Sequence, residues 1–250
     1  MSGHSKWSTI KHQKGAKDVR RGALFTKLSR EINVAVKTGG GGDVEANFRL
    51  RLAVDKARVQ NMPNDNIQRA IASALGSADN TNYDEVMYEG FGPGGSAVLV
   101  QALTDNRNRT VSEVRNAFVK GGGNMGESGS VGWMFANRGV ITLDVETADP
   151  DDAALMAIEA GAEDVGPAED GVLEVYTAPT DLKAVEDALR TAGATITEAS
   201  LRYVATTSME LGDEEAIKTL RMVERLEDLD DVQQVFSNIE ISDAVVAQLA

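Results

Sequence analysis

Apolar residues in the first third of the chain recur with the period of a helix. Over residues 18–37 the apolar positions are three or four residues apart, which predicts an amphipathic helix. These positions are Leu24, Leu28, Ile32 and Ala35. Two further helices are predicted over about 45–60 and 63–75, the second with a proline at its start and a glycine after its end. We therefore expect residues 1–76 to form a small helical domain that begins with an irregular arm over residues 1–16.

Beyond residue 80 the apolar period shortens to that of β-strands. Residues 83–91 and 95–104 predict two strands that are joined by a turn rich in glycine and proline. Thr110 and Glu113 have the spacing of a capping box, which predicts that a helix begins there and continues to about residue 120. Near the end of the chain, residues 205–238 predict a strand, a helix and a second strand.

Residues 138–204 contain a complete set of elements in the order β-α-β-β-α-β, which is the ferredoxin-like pattern. The segments on either side have too few elements to bury a sheet face alone, so we expect them to pair with each other. The sequence therefore predicts an α+β fold of three domains. These are the small N-terminal helical domain with its basic arm, a discontinuous α/β domain of residues 80–137 plus 205–250, and an inserted ferredoxin-like βαββαβ domain of residues 138–204.

Charge is divided unevenly along this chain of 250 residues, whose formal net charge is −14. Residues 1–72 carry 14 Lys and Arg against 6 Asp and Glu, a net of +8, and the remaining residues carry a net of −22. Such a separation is typical of proteins that bind nucleic acid or another anionic surface. The acidic remainder would repel a polyanion, so we expect only the basic segment to touch it.

The basic arm is the strongest candidate for a nucleic-acid contact. Six cations lie within sixteen positions, and Trp7 adds a ring that can stack on a base. Basic positions beside the apolar faces of the first two predicted helices extend this surface. The residues predicted to bind nucleic acid are His4, Ser5, Lys6, Trp7, Lys11, His12, Lys14, Lys17, Arg20, Arg21, Lys27, Arg30, Arg49, Arg51, Lys56 and Arg58. The alternative is a solvated basic tail whose Trp7 packs on the helices.

The pattern favours recognition of the phosphate backbone and of shape. The helix over 45–60 has apolar residues on two faces, so it is a poor recognition helix. No helix–turn–helix with a polar reading face stands out in residues 17–75. Structured RNA is recognised largely through backbone and shape.

Other motifs have simpler explanations than a binding site. The glycine-rich stretch 121–126 could approach a phosphate, but it lacks the Lys-Ser/Thr ending of a P-loop, so a connector is favoured. Residues 106–109, Asn-Arg-Asn-Arg, could clamp a phosphate, although a polar turn before a helix is favoured. Clusters of carboxylates near 149–152, 213–215 and 227–231 fit helix ends and a turn, so no metal is predicted.

Composition excludes several kinds of chemistry. The chain has no cysteine, which excludes thiolate nucleophiles and zinc–cysteine sites. It has two histidines, so few residues could serve as the base of a catalytic triad. We find no nucleophile–base pair, so we expect a protein that is not an enzyme and has no cofactor. The sequence shows neither an apolar run long enough for a membrane span nor a signal peptide, which favours the cytoplasm and no membrane partner.

The opening of the sequence closely resembles the YebC/PmpR family. The matching residues run from Gly3-His4-Ser5-Lys6-Trp7 through Ile10-Lys11-His12 and Lys14 to Asp18, Arg21-Gly22, Phe25 and Lys27-Leu28. Further matches are Pro63-Asn64-Asp65-Asn66-Ile67, Tyr88-Glu89-Gly90, Leu103-Thr104-Asp105-Asn106-Arg107-Asn108-Arg109 and Gly129-Ser130-Val131. The resemblance extends over the whole chain.

This resemblance implies a helical N-terminal domain followed by two α/β domains, and a cytoplasmic regulator that is not an enzyme. Bacterial members are commonly described as transcriptional regulators that bind DNA. Others, including the related mitochondrial translational activator, act on the ribosome during translation of difficult sequences such as proline runs. We expect a nucleic-acid-binding regulator of gene expression, transcriptional by resemblance, with action on ribosomal RNA as the alternative. The acidic domains would contact the ribosome or the transcription machinery.

Overall fold

The computed structural model describes residues 19–76 and 82–249, and its first part is a helical region. Its helices are α1 Val19–Thr38, α2 Phe48–Val59 and α3 Asn64–Leu75. They pack around one apolar core, to which each helix contributes the residues that its period predicts. Fully buried members of this core are Leu28 and Ile32 from α1, Leu50 and Val54 from α2, and Ile67 from α3.

Asn47 joins the first two helices. Its side-chain oxygen accepts a hydrogen bond from the Leu50 backbone N–H at 3.0 Å, which caps the start of α2. Its amide nitrogen donates to the carbonyl oxygens of Ala35 and Gly41, at 2.9 and 2.8 Å. One buried side chain therefore satisfies backbone groups at the start of α2 and at the end of α1.

The first sheet is antiparallel and combines strands from two separate parts of the chain, before and after the second sheet. Its strands are β1 Asp84–Phe91, β2 Ala97–Thr104, β3 Asn124–Met125 and β8 Val232–Ser237, in the order β3-β1-β2-β8. Two helices, α4 Arg107–Lys120 and α7 Asp213–Glu227, pack on one face of this sheet. Their shared core includes Val98, Val100, Phe118, Leu220 and Val235.

The second sheet lies entirely within residues 135–206, which form a separate compact unit. Its elements are β4 Phe135–Asp144, α5 Pro150–Glu159, β5 Asp164–Val165, β6 Val172–Thr177, α6 Leu182–Ala192 and β7 Ile196–Ala205. The strand order β5-β6-β4-β7, with antiparallel pairs throughout, is that of a ferredoxin-like βαββαβ sheet. The other compact unit contains the helical region and the first sheet.

The predicted α+β class and the helical region followed by α/β domains are confirmed, and two local expectations are wrong. Helix α4 begins at Arg107, because the side chain of Asn106 caps it through the Arg109 N–H at 3.1 Å. Thr110 lies inside this helix and does not cap it. In place of a strand after residue 205 there is an isolated bridge between Met209 and Ile239. A short helix that was not predicted, α8 Asp243–Leu249, follows β8.

None of the helices in residues 19–76 and 82–249 has the length and apolar character needed to cross a membrane.

A buried carboxylate on β1 fixes the loop before the second sheet. Glu89 is 8% exposed, and its two oxygens accept backbone N–H bonds from Gly129, Val131 and Gly132 at 2.6–2.7 Å. Burial by itself raises the pKa of Glu89, but the three N–H donors outweigh it and hold the pKa below its ordinary value. The turn that they fix leads into Trp133, whose side chain is 69% exposed.

We expect Glu89→Gln to destabilise the protein, because the amide nitrogen of glutamine is itself a donor and faces backbone donors. At least one buried N–H then loses its acceptor, at a cost of about 1–3 kcal/mol in the free energy of unfolding. Urea denaturation measures this loss. Glu127→Gln, at an exposed position in the same loop, is the control and should change the free energy by less than about 0.5 kcal/mol. Equal stabilities of the two variants would contradict the role of Glu89.

Candidate nucleic-acid interface

Half of the predicted interface lies in the arm. The arm residues, which fall outside the described part of the chain, are His4, Ser5, Lys6, Trp7, Lys11, His12, Lys14 and Lys17. Arg20 lies in helix α1, and its side chain is likewise outside the description. The role of these nine residues in binding stays a prediction.

Three of the remaining predicted cations bind acceptors on the first α/β domain. Lys27 donates to the carbonyl oxygen of Glu227 at 2.5 Å. Arg30 donates to the carbonyl oxygen of Asp230 at 2.6 Å and to a carboxylate oxygen of Asp231 at 3.0 Å. On α2, Arg49 forms an ion pair with Glu85 at the start of β1, and also donates to Thr38. These cations therefore hold the helical region to the sheet domain.

The other predicted cations make contacts within the helical region. Lys56 pairs with Glu31 at 2.8 Å, Arg58 pairs with Asp55 at 3.1 Å, and Arg51 contacts Glu45. The guanidinium of Arg21 lies 5.9 Å from the centre of the Phe25 ring, at cation–π distance. The pairs of Arg51 and Arg58 have exposed partners, and such surface pairs contribute about 0–1 kcal/mol each.

Asp231 is the buried acceptor at which these regions meet. Its side chain is 2% exposed and accepts four hydrogen bonds, two from guanidinium groups and two from hydroxyls. The donors are Arg30 at 3.0 Å, Arg109 at 2.7 Å, Thr104 at 3.1 Å and Thr110 at 2.6 Å. Burial by itself raises the pKa of Asp231, but the hydrogen bonds from Thr110 and Arg109 and the charges of Arg109 and Arg30 outweigh it, so the pKa lies below its ordinary value.

A groove opens between α1, α3 and Tyr83, with a volume of about 470 Å³. Side chains around it include Phe25, Arg30, Asn33, Asn66, Arg69 and Tyr83. No Asp or Glu occurs among the described residues that line it. The guanidinium of Arg30, which is fixed by Asp231, lies 5.7 Å from the centre of the Tyr83 ring. The groove is therefore cationic and partly aromatic.

Asn33 and Arg69 belong to this groove, and the sequence analysis did not identify either. Asn33 is 6% exposed, and its side-chain oxygen has no hydrogen-bond partner in the described part of the chain. Arg69 is exposed and has neither an ion pair nor a hydrogen bond within that part. A signal for Asn33 was present, since it is the one polar residue in the run Ile-Asn-Val-Ala-Val over residues 32–36.

The other motifs weighed in the sequence have structural contacts. Asn106 caps α4, Arg107 pairs with Asp84 at 2.7 Å, and Arg109 pairs with Asp105 and Asp231. The glycine-rich stretch 121–126 ends α4 and includes strand β3. Within residues 19–76 and 82–249, no three His, Asp or Glu side chains come together as a metal site would require.

Two family models together match most of the chain. The model for the TACO1/YebC protein N-terminal domain matches residues 5–77, and the model for the TACO1/YebC second and third domain matches residues 83–239. The chain therefore belongs to the TACO1/YebC family, as its motifs predicted.

Curated relatives and a solved structure agree with this assignment. A protein of Chloroflexus aurantiacus is 52% identical over 250 residues, which cover 99% of each chain. A protein of Actinobacillus pleuropneumoniae serotype 3 is 53% identical over 249 residues, the full length of both chains. Each bears the name "Probable transcriptional regulatory protein", and neither name is that of an enzyme. The crystal structure of a conserved hypothetical protein of Aquifex aeolicus is similar, with a TM-score of 0.82 and 44% identity over 90% of this chain and 93% of that one.

We expect Asp231→Asn to destabilise the protein most at neutral pH. Removing the charge takes the shared ionic partner from Arg30 and Arg109. Arg109 is 42% exposed and keeps Asp105, so we expect a loss below the ~3–5 kcal/mol of a fully buried pair. The pKa in the folded state lies below the ordinary value near 4, so the carboxylate stabilises the fold above about pH 4. That contribution is lost as the pH falls through the lower pKa of the folded state.

Urea unfolding of the wild type and the variant at pH 7 and at about pH 2.5 measures this effect. The difference in the free energy of unfolding should be smaller at the acidic pH than at pH 7. Asp228→Asn, an exposed neighbour in the same turn, is the control. A difference that does not change with pH would contradict the ionic role of Asp231.

Proposed function

We propose that this protein is a nucleic-acid-binding regulator of gene expression that binds DNA in transcription and catalyses no reaction. The observation that supports it most directly is the separation of charge, with a net of +8 in residues 1–72 and −22 in the rest. The names of the relatives support the regulatory role. In this proposal the arm and the helical region bind phosphates, and Trp7 packs on a base or a sugar.

The pairing of the helical cations limits which of them can bind phosphate at little cost. Surface pairs such as Arg58 with Asp55 are worth about 0–1 kcal/mol, so a phosphate can replace the carboxylate. The bond from Arg30 to Asp231 involves a carboxylate that is 2% exposed, and breaking it would remove one of the two guanidinium partners of that buried charge. We therefore propose that the exposed cations bind nucleic acid, and that Arg30 keeps its partner.

Helix α3 supports a role at a DNA duplex. Residues 60–63 join α2 to α3, a connection as short as that of a helix–turn–helix motif. On α3, Gln68 and Arg69 are exposed, and both are residue types that contact base edges or phosphates. The sequence predicted both helices, over 45–60 and 63–75, but no helix–turn–helix with a polar reading face, because the apolar faces of α2 dominated the pattern.

The second candidate function is action on the ribosome, as a factor that binds ribosomal RNA and relieves stalling on sequences such as proline runs. The net charge of −22 outside the basic segment favours this second function. The acidic part would repel RNA, so that only the basic end would contact a large RNA surface. The acidic domains would then contact ribosomal or other proteins.

The test reverses the charge of the arm with Lys11→Glu, Lys14→Glu and Lys17→Glu in one variant. The control reverses Lys120, Lys183 and Lys218, exposed or half-exposed lysines of the α/β domains, so that both variants change the net charge equally. Binding to duplex DNA and to ribosomes is measured at one physiological salt concentration by fluorescence anisotropy and by co-sedimentation. We expect the arm variant to lose binding, with a slope of log K against log salt flatter by about 2–3 units.

The ratio of the two affinities decides between the candidates. Tighter binding to one DNA site than to bulk DNA supports the transcriptional role, and tight binding to ribosomes with weak DNA binding supports the translational one. If the arm variant keeps full affinity and a normal melting curve, the arm is not the binding element. If the wild type binds neither probe, the proposed function is wrong.

A further inference from the structure

The side chain of Asn33 has a buried polar atom without a partner among the described residues. Asn33 lines the groove between α1 and α3, and its side-chain oxygen is buried and has no hydrogen bond among the described residues. A buried polar atom without a partner destabilises a folded protein. A leucine at this position would avoid that loss, so the residue points to a partner other than the described residues, as a bound ligand would be.

The groove around Asn33 has the groups that recognise a nucleotide. Phe25 and Tyr83 present aromatic rings, and Arg30 holds the Tyr83 ring through a cation–π contact. Arg69 places a guanidinium group that has no bond within the described chain at the same groove. The free volume of about 470 Å³ lies within the range of small-ligand sites.

We propose that this groove binds a single unpaired nucleotide of a nucleic-acid strand. The amide oxygen of Asn33 accepts an N–H from the base, an aromatic ring packs on the base, and Arg69 contacts the phosphate. A bare phosphate or a carboxylate ligand would bring no donor to the Asn33 oxygen. A ring can pack on the face of a base only when the base has left its neighbours, so the ligand must be single-stranded or turned out of its stack. The inference rests on the proposed function and names the form of nucleic acid that the helical region recognises.

The charged side chains that line the groove favour an anionic ligand. Arg30 and Arg69 are the charged groups among its described lining residues, and the nearest acidic partner of Arg30, Asp231, is already saturated with four donors. Arg69 is exposed, and a phosphate beside it would add a charge-assisted contact that a neutral ligand cannot make. A nucleotide supplies the base and the negative charge in one molecule.

The experiment compares Asn33→Leu with the wild type in full-length protein. Leucine keeps about the same shape but cannot accept a hydrogen bond. The probes are fluorescein-labelled 12-residue adenylate strands, one of RNA and one of DNA, and the duplex of the DNA strand with its complement. We expect Asn33→Leu to weaken binding of the single strands by about tenfold, since an Asn–adenine contact carries roughly that discrimination. Binding of the duplex should not change.

Two further readouts separate binding from folding. Asn33→Leu should raise Tm by about 2–4 °C, because the buried oxygen without a partner is gone. Its slope of log K against log salt should equal that of the wild type, whereas Arg69→Gln should flatten the slope by about one unit. Arg190→Gln, at an exposed position on α6, is the matched control and should change neither affinity nor slope.

A second variant, which fills the groove, tests the proposal if Asn33→Leu does not fold. Ala70 lines the groove, and Ala70→Leu fills it without removing any polar group. It should weaken single-strand binding at least as much as Asn33→Leu. If the wild type binds nucleic acid and both variants bind the strands as tightly, the groove is not the site, while the proposed function stands. If the wild type binds none of these probes, the inference is overturned, and the proposed function is decided by the measurements with duplex DNA and ribosomes.

Discussion

The arrangement of the helical region on the first sheet depends on one buried carboxylate, that of Asp231. It accepts bonds from Arg30 on α1, from Arg109 and Thr110 on α4, and from Thr104 at the end of β2. An ionised group with little solvent exposure is stable only when such donors surround it. The basic helices and the acidic sheet domain therefore meet through a specific geometry, and not only through their opposite net charges.

Because of this arrangement, the net charge of a segment differs from the charge that is available to bind a ligand. The helical region is basic, yet Lys27, Arg30 and Arg49 bind the sheet domain. Neutralising bonds inside the protein reduce the long-range field that a polyanion meets. The cations with the weakest internal partners, together with those of the arm, are thus the ones on which the proposed function depends.

The α+β class and most helices and strands could be predicted from the local periodicity of apolar residues, because residues close together in the sequence form each amphipathic face. It failed where a side chain serves a distant partner. Thr110 looked like a cap, but its hydroxyl binds Asp231, a residue 121 positions away. For the same reason, the sequence did not predict the structural role of Arg30 or the place of Asn33 in a groove, since both depend on contacts between elements. The binding role of the arm was predicted from composition and resemblance, and it stays a prediction.

The bonds of Glu89 have a consequence for how sequences of this family are compared. Tyr88-Glu89-Gly90 and Gly129-Ser130-Val131 are two separate motifs in the sequence, about forty positions apart. In the folded chain they are one structural unit, in which a carboxylate meets three backbone donors. An exchange of Glu89 for another residue therefore requires a different turn at 129–132. In an alignment of relatives, the two motifs should change together or not at all.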